Sequence, residues 1–229
     1  FLRVARALPE SRRFTRPHGK ATMAGHRGRL LMLSTGAFLG LLFFAPVTQF
    51  QNEFLRTEQG FAAWQITLYT ISTGTPGGIG IVVGGRLADL KGRRIVGAVG
   101  TIGGAACFAL AYQSHGITMW LAAVVGSIVG AMTVPALAVY GPELFPTALR
   151  GKANGWITAA GVAGSSVGLY VAGHMADHFD RLGPGIGLPA LGPLLVAVLV
   201  VTCYPETANV EPEELNPEDA AFGFSPPPT

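Results

Sequence analysis

A chain of 229 residues that is 49% hydrophobic and only 13% charged falls well short of the roughly 25% charged residues of an average soluble domain, which points to lipid as its solvent. The mean hydropathy of +0.43 understates this, because polar residues crowd into the two ends, 1–29 and 205–229. The net charge of +3 does not indicate a nucleic-acid partner, since the basic residues sit beside apolar runs and lack the interleaved aromatics of a strand-binding groove.

The first segment, 1–29, is Arg-rich and acid-poor, opens at Phe1 and holds no signal-peptide cleavage pattern, so a piece of a longer protein is expected. A mitochondrial presequence is the weaker reading of the same residues. Six apolar stretches follow, at about 30–50, 64–86, 95–113, 118–140, 152–174 and 188–204. A hydrocarbon core about 30 Å thick needs about 20 apolar residues per helix. The expected fold is therefore all-α, a polytopic membrane helix bundle of six transmembrane helices over 30–204. Pro46, Thr75-Pro76-Gly77-Gly78 and Pro135 interrupt the stretches, which membrane helices tolerate where neighbours or cavity water satisfy the freed backbone. The pairs Gly36/Gly40, Gly80/Gly84, Gly126/Gly130 and Gly164/Gly168 each put two glycines on one helix face and predict close internal packing, with homodimerisation the lesser alternative. Cys107 and Cys203 lie in apolar runs and supply neither a disulfide framework nor zinc spacing.

Orientation follows from the basic residues. All but Arg56 and Arg181 lie before the first stretch, in the loop Arg86–Arg94 or at Arg150 and Lys152, which puts them on one side of the bilayer. By the positive-inside rule that side is the cytoplasm, and both ends of the chain face it. The end from Glu206 is acidic, finishes in Pro226-Pro227-Pro228 and reads as a solvated tail.

Gly85-Arg86-Leu87-Ala88-Asp89-Leu90-Lys91-Gly92-Arg93-Arg94 joins the second and third stretches. It resembles the signature loop of the major facilitator superfamily, G-x-L-A-D-x-x-G-R-R, at every position. Tyr140-Gly141-Pro142-Glu143-Leu144-Phe145-Pro146-Thr147-Ala148-Leu149-Arg150-Gly151 is similar to the P-E-L-F-P-T-x-x-R-G loop of its sugar-porter and organic-ion branches. Pro9-Glu10-Ser11-Arg12-Arg13 resembles the segment after their sixth helix, and Pro205-Glu206-Thr207 with Glu213-Glu214-Leu215 their ending after the twelfth.

The order of these segments implies that the six helices correspond to helices seven to twelve, half of a twelve-helix fold. Residues 1–29 would then be the end of the preceding helix and a basic cytoplasmic linker, and 205–229 a cytoplasmic tail. The partners implied are a small-molecule substrate, a coupling proton or ion, the lipid bilayer and a missing N-terminal half. A multi-pass plasma-membrane location is expected. Hexose is disfavoured, because Phe44–Gln51 lacks the paired glutamines of hexose carriers and Ala138 replaces their tryptophan.

The resemblance makes Gly85, Asp89, Gly92, Arg93, Arg94, Glu143 and Arg150 a cytoplasmic gate, with Arg93, Glu143 and Arg150 as a charge cluster and the partner of Asp89 in the missing half. Family helices seven, eight, ten and eleven line the cavity, which makes Gln49, Tyr69, Thr73, Thr133, Ser165 and Ser166 its substrate candidates. Ser and Thr in membrane helices more often bond their own backbone. No stretch holds Asp, Glu, Lys or Arg in its interior, so a buried coupling carboxylate would reside in the other half.

Two further motifs carry little. Gly164-Ser165-Ser166-Val167-Gly168 fits a nucleophile elbow in letters but lies mid-helix, where the required strand-turn-helix is missing. His174, Asp177, His178 and Asp180 have no second cluster to complete a metal site. No catalysis, cofactor or metal is expected. The function expected is secondary active transport of an organic ion, metabolite or drug-like solute by alternating access; the alternative is a stand-alone six-span structural or regulatory protein.

Overall fold

The computed structural model describes residues 22–208, residue 210 and residues 212–216. The Pro9–Arg13 motif, Phe1–Leu8 and the Pro226–Pro228 run lie outside these. The described residues hold six helices long and apolar enough to cross a membrane: Met23–Thr57, Ala63–Lys91, Arg93–Gln113, Gly116–Glu143, Arg150–Phe179 and Leu182–Cys203. They are called the first to sixth spans below. The protein is a multi-pass membrane helix bundle.

The breaks fall where the sequence places them. The first span bends at Phe50, between helices Arg27–Gln49 and Gln51–Thr57, just past Pro46, whose ring removes a helical hydrogen bond. Thr75 and Pro76 separate Ala63–Gly74 from Gly77–Lys91. The fourth span is broken into Gly116–Ala131, Thr133–Leu137 and Tyr140–Glu143 around Pro135. The sixth span begins at Leu182, earlier than the expected 188, because Leu182–Gly187 is itself helical. Gly183 and Gly185 let that turn press against the backbones of Tyr112 and Ala172, and the Glu58 carboxylate accepts the Leu182 N–H.

Packing relies on small residues, as it must where lipid is as apolar as leucine. The most extensive contact joins the first and fifth spans. There Gly164 and Gly168 lie so close to the first span that an added Cβ would stand 2.8 Å from the carbonyl carbons of Phe38 and Leu42. Gly84 meets Met132 Cα of the fourth span, and Gly104 meets Gly130 of the same span, each within 2.6 Å of where a Cβ would sit. Gly36 packs on the Tyr204 hydroxyl, whereas Gly40 has open space. Large apolar side chains turn outward instead: Ile117, Val82 and Leu90 are each more than 70% exposed, as expected of a surface that faces lipid tails.

Contacts divide the spans into a first-fifth-sixth group and a second-third-fourth group, bridged by the third and sixth. One core cluster, with Phe43, Val47, Tyr69, Tyr112, Met119 and Ile186, lies toward the end that carries Arg56 and Arg181. The Tyr112 hydroxyl there donates to the Val47 carbonyl at 2.6 Å, across the bend that Pro46 introduces. A second cluster, with Tyr140, Leu144, Phe145, Val200 and Tyr204, lies at the basic end.

Candidate functional site

Three of the motif segments meet at the basic end. Gly92 alone links the helix ending at Lys91 to the one starting at Arg93. It does so at φ +95°, a conformation open to glycine and strained for other residues. A Cβ at this position would also come within 2.6 Å of Glu206 Oε2. The turn therefore requires glycine twice over. Gly85 differs: a Cβ there would meet Pro135 at an ordinary 3.7 Å.

The turn leaves the first N–H groups of the third span without helical partners. Glu206 takes them: its carboxylate accepts from the Arg93 N–H at 2.9 Å, the Arg94 N–H at 3.3 Å and the Ala208 N–H at 3.1 Å. A carboxylate at a helix N-terminus is also favoured by the helix dipole. Burial pushes the Glu206 carboxyl up, but the three N–H donors and the nearby Arg94 guanidinium outweigh it, and the group sits below the usual carboxylate value. With a depressed folded value, this stabilisation is present above the unfolded value and is lost as pH falls through the folded one. We therefore expect Glu206→Ala to destabilise the protein by about 1 kcal/mol at neutral pH, the usual worth of an N-cap. The deficit should vanish in acid, and thermal unfolding of both proteins across pH checks it.

The same turn aims Arg93 inward. Its guanidinium pairs with the Glu143 carboxylate, the two side chains being 15% and 19% exposed, and Nη1 also donates to Thr207 Oγ1 at 2.8 Å. Thr207 is 1% exposed. Arg94 donates to the Val201 carbonyl, which ties the third span to the sixth. Arg150 donates from Nε to the Phe145 carbonyl at 3.0 Å. Among the described residues the ion pair on Glu143 is therefore made by Arg93. Asp89 is exposed on the last helical turn before Gly92, where a negative charge opposes the helix dipole; among the described residues it forms no ion pair.

The chain after the sixth span is held at this end. Tyr140 donates to the Pro205 carbonyl at 3.0 Å and packs edge-on to Tyr204. Asn216, 1% exposed, donates to the Glu143 carbonyl at 2.6 Å and accepts from Arg29 at 3.2 Å. The expected solvated tail therefore does not begin at Glu206: Thr207 and Asn216 find buried partners on the helix ends. Glu206 and Thr207 were visible in sequence as motif letters without a role. Arg29 was visible only as one basic residue among many, and Asn216 gave no signal.

The six cavity candidates occupy both buried and exposed positions. Tyr69 and Thr73 are buried, Tyr69 edge-on to Trp120 and Thr73 donating to the Tyr69 carbonyl at 2.7 Å. Ser165 and Ser166 bond the carbonyls of Gly161 and Val162, one helical turn back. Gln49 is exposed at the bend of the first span. Thr133 Oγ1 is buried beside Gly100, where the fourth span breaks. The Gly164–Gly168 run is continuous helix within Arg150–Phe179. Among the described residues no three His, Cys, Asp or Glu side chains gather as a metal site.

The chain is 30% identical over 161 residues to a cis,cis-muconate transport protein of Acinetobacter baylyi, covering 69% of this chain and 37% of that protein. It is 36% identical over 123 residues to the puromycin resistance protein pur8 of Streptomyces alboniger, covering 51% of this chain and 23% of that one. The alignments thus span well under two thirds of either relative. Residues 30–227 match the family model of the Major Facilitator Superfamily, whose members are transporters rather than enzymes. The chain belongs to the Major Facilitator Superfamily.

Proposed function

We propose that this chain is the C-terminal six-helix half of a secondary transporter that moves a small organic solute by alternating access, two such halves rocking about a midplane site. The observation that carries the reading is the junction of Arg93, Glu143 and Thr207. It draws together the loop between the second and third spans, the loop after the fourth and the segment after the sixth. A pair that locks helix ends at one face of a half-bundle acts as a gate, holding that face closed in one state and releasing it in the other. Asp89 belongs to the same gate, its partner being a helix end of the opposite half. The half corresponds to helices seven to twelve, because the motif segments run in that order.

The relatives' names support an organic solute rather than one particular cargo: one is a cis,cis-muconate transport protein and the other a puromycin resistance protein. An organic ion or drug-like molecule is the substrate class, and Gln49, Tyr69, Thr73, Thr133, Ser165 and Ser166 are the contacts proposed for it. Expressed with its N-terminal half, the protein should take up labelled muconate or raise puromycin tolerance. Transport by this chain alone would overturn the reading as a half, and an intact transporter that moved no organic solute would overturn the substrate class.

The location proposed is the plasma membrane with both chain ends in the cytoplasm, from the asymmetry of the basic residues. A cysteine replacing Lys91 should then resist impermeant maleimide added to intact cells and react once the cells are opened. Labelling from outside would invert the topology.

A further inference from the structure

Beside the gate lies a cavity of about 500 Å³, lined by Arg29, Met32, Leu144, Leu199, Cys203 and Leu215. It opens where the first and sixth spans leave the apolar zone, at the basic end. Of these side chains Arg29 carries a charge and Cys203 a thiol, and the others are apolar. That guanidinium is half-buried, and its partners are neutral: the carbonyls of Leu144 at 2.9 Å and Leu215 at 3.3 Å, and Asn216 Oδ1 at 3.2 Å. Among the described residues no carboxylate pairs with it. By contrast, Arg93, a short way off, meets both a carboxylate and a hydroxyl.

A half-buried cation whose partners among the described residues are all neutral is a costly arrangement, because desolvation is offset there by dipoles alone. A cation beside an apolar cavity, at the depth where lipid headgroups begin, has a natural complement: a ligand with an anionic head and a hydrocarbon tail. We propose that this cavity is a binding site for an anionic phospholipid of the surrounding leaflet. Its phosphate would sit against Arg29 and an acyl chain would lie between the first and sixth spans, along Met32 and Leu199. Charge complementarity argues for the anionic head, and the apolar walls argue for the chain. Because Arg29 also holds Leu144, Leu215 and Asn216, occupancy of the site would stiffen the strap that rests on the Glu143 carbonyl.

Cys203 supplies a reporter, since it is exposed and lines the cavity. The full chain in detergent would be treated with a maleimide in the presence of phosphatidylglycerol or of phosphatidylcholine with the same acyl chains. Modification at Cys203 would be followed by mass spectrometry of its peptide. Phosphatidylglycerol should slow labelling about tenfold more than phosphatidylcholine, the size expected from one hydrogen bond to a charged group. Arg29→Gln should abolish that difference. Leu199→Trp, which fills the cavity and leaves Arg29 in place, should remove lipid adducts of both kinds in native mass spectra, so the proposal stays testable if Arg29→Gln fails to fold. Equal protection by the two lipids would overturn the headgroup assignment. The absence of protection by either would overturn the site. Protection that grows with protein concentration in lipid-free detergent would assign the cavity to a second copy of the chain and overturn the proposal as well.

Discussion

Reversing the charge at Glu143, by Glu143→Arg, is expected to reduce transport by the full-length protein tenfold or more while leaving membrane insertion intact. The Arg93–Glu143 pair is neither fully exposed nor fully buried, at 15% and 19% side-chain exposure. Exposed pairs are worth about 0–1 kcal/mol, and breaking a buried one costs about 3–5. An intermediate cost of about 2 kcal/mol exceeds the 1.4 kcal/mol that changes an equilibrium tenfold, enough to depopulate one state of the cycle. Glu143→Arg also sets two guanidiniums face to face, so its effect should exceed that of Glu143→Gln. Adding Arg93→Glu restores opposite charges and should recover part of the activity. Full recovery is not expected, because glutamate at 93 loses the donor to Thr207 Oγ1 and stands near the Glu206 carboxylate, which caps the same helix. Arg150→Glu in the Glu143→Arg background should recover less, since Arg150 is bonded to the Phe145 carbonyl. Uptake assays on the two single variants and the double form a cycle; if the double equals the sum of independent losses, the pair does not gate.

Replacing Gly164 by alanine should prevent the bundle from assembling, although alanine is the better helix former. In an exposed helix Gly→Ala is favourable by about 1 kcal/mol. At Gly164 the added methyl would stand 2.8 Å from both the carbonyl carbon and the Cα of Phe38. Those atoms are backbone and cannot rotate away, so the first and fifth spans must separate. Overpacking costs typically 1–3 kcal/mol where side chains can adjust; here a whole crossing opens, and the crossing is the most extensive in the structure. Gly168 repeats the arrangement one turn on, against Leu42, so Gly164→Ala with Gly168→Ala should yield no monodisperse protein in detergent. Gly40→Ala is the control, because nothing lies within 4 Å of its added methyl, and it should be neutral or slightly stabilising. Size-exclusion chromatography and thermal stability separate these outcomes. A stable, monodisperse Gly164→Ala protein would show that the two spans do not cross this closely.

The sequence by itself determined the class of fold and where the spans break. Lipid needs about 20 apolar residues per span, and a proline removes a backbone hydrogen bond wherever it stands, so both features are local and can be counted. The requirement at Gly92 belonged to the structure instead: the apolar stretches left 87–94 as a loop, and only helices that run to Lys91 and from Arg93 leave a single residue to make the turn, in a conformation that glycine adopts without strain. What the tertiary structure decided was pairing. Arg93 and Arg150 offered the same charge at similar helix ends, and only the docking of the fourth span beside the third brought Arg93 to Glu143. The start of the sixth span was hidden because Gly183, Pro184 and Gly185 resemble a loop; what makes them helical is a packing surface at Tyr112 and Ala172 and a cap from Glu58. Thr207 and Asn216 sat in a segment whose composition predicts solvation, yet both are buried. Composition records how much apolar surface a segment can bury. It does not record the carbonyls and guanidinium groups that distant helix ends leave unsatisfied, and these are what hold the tail in place.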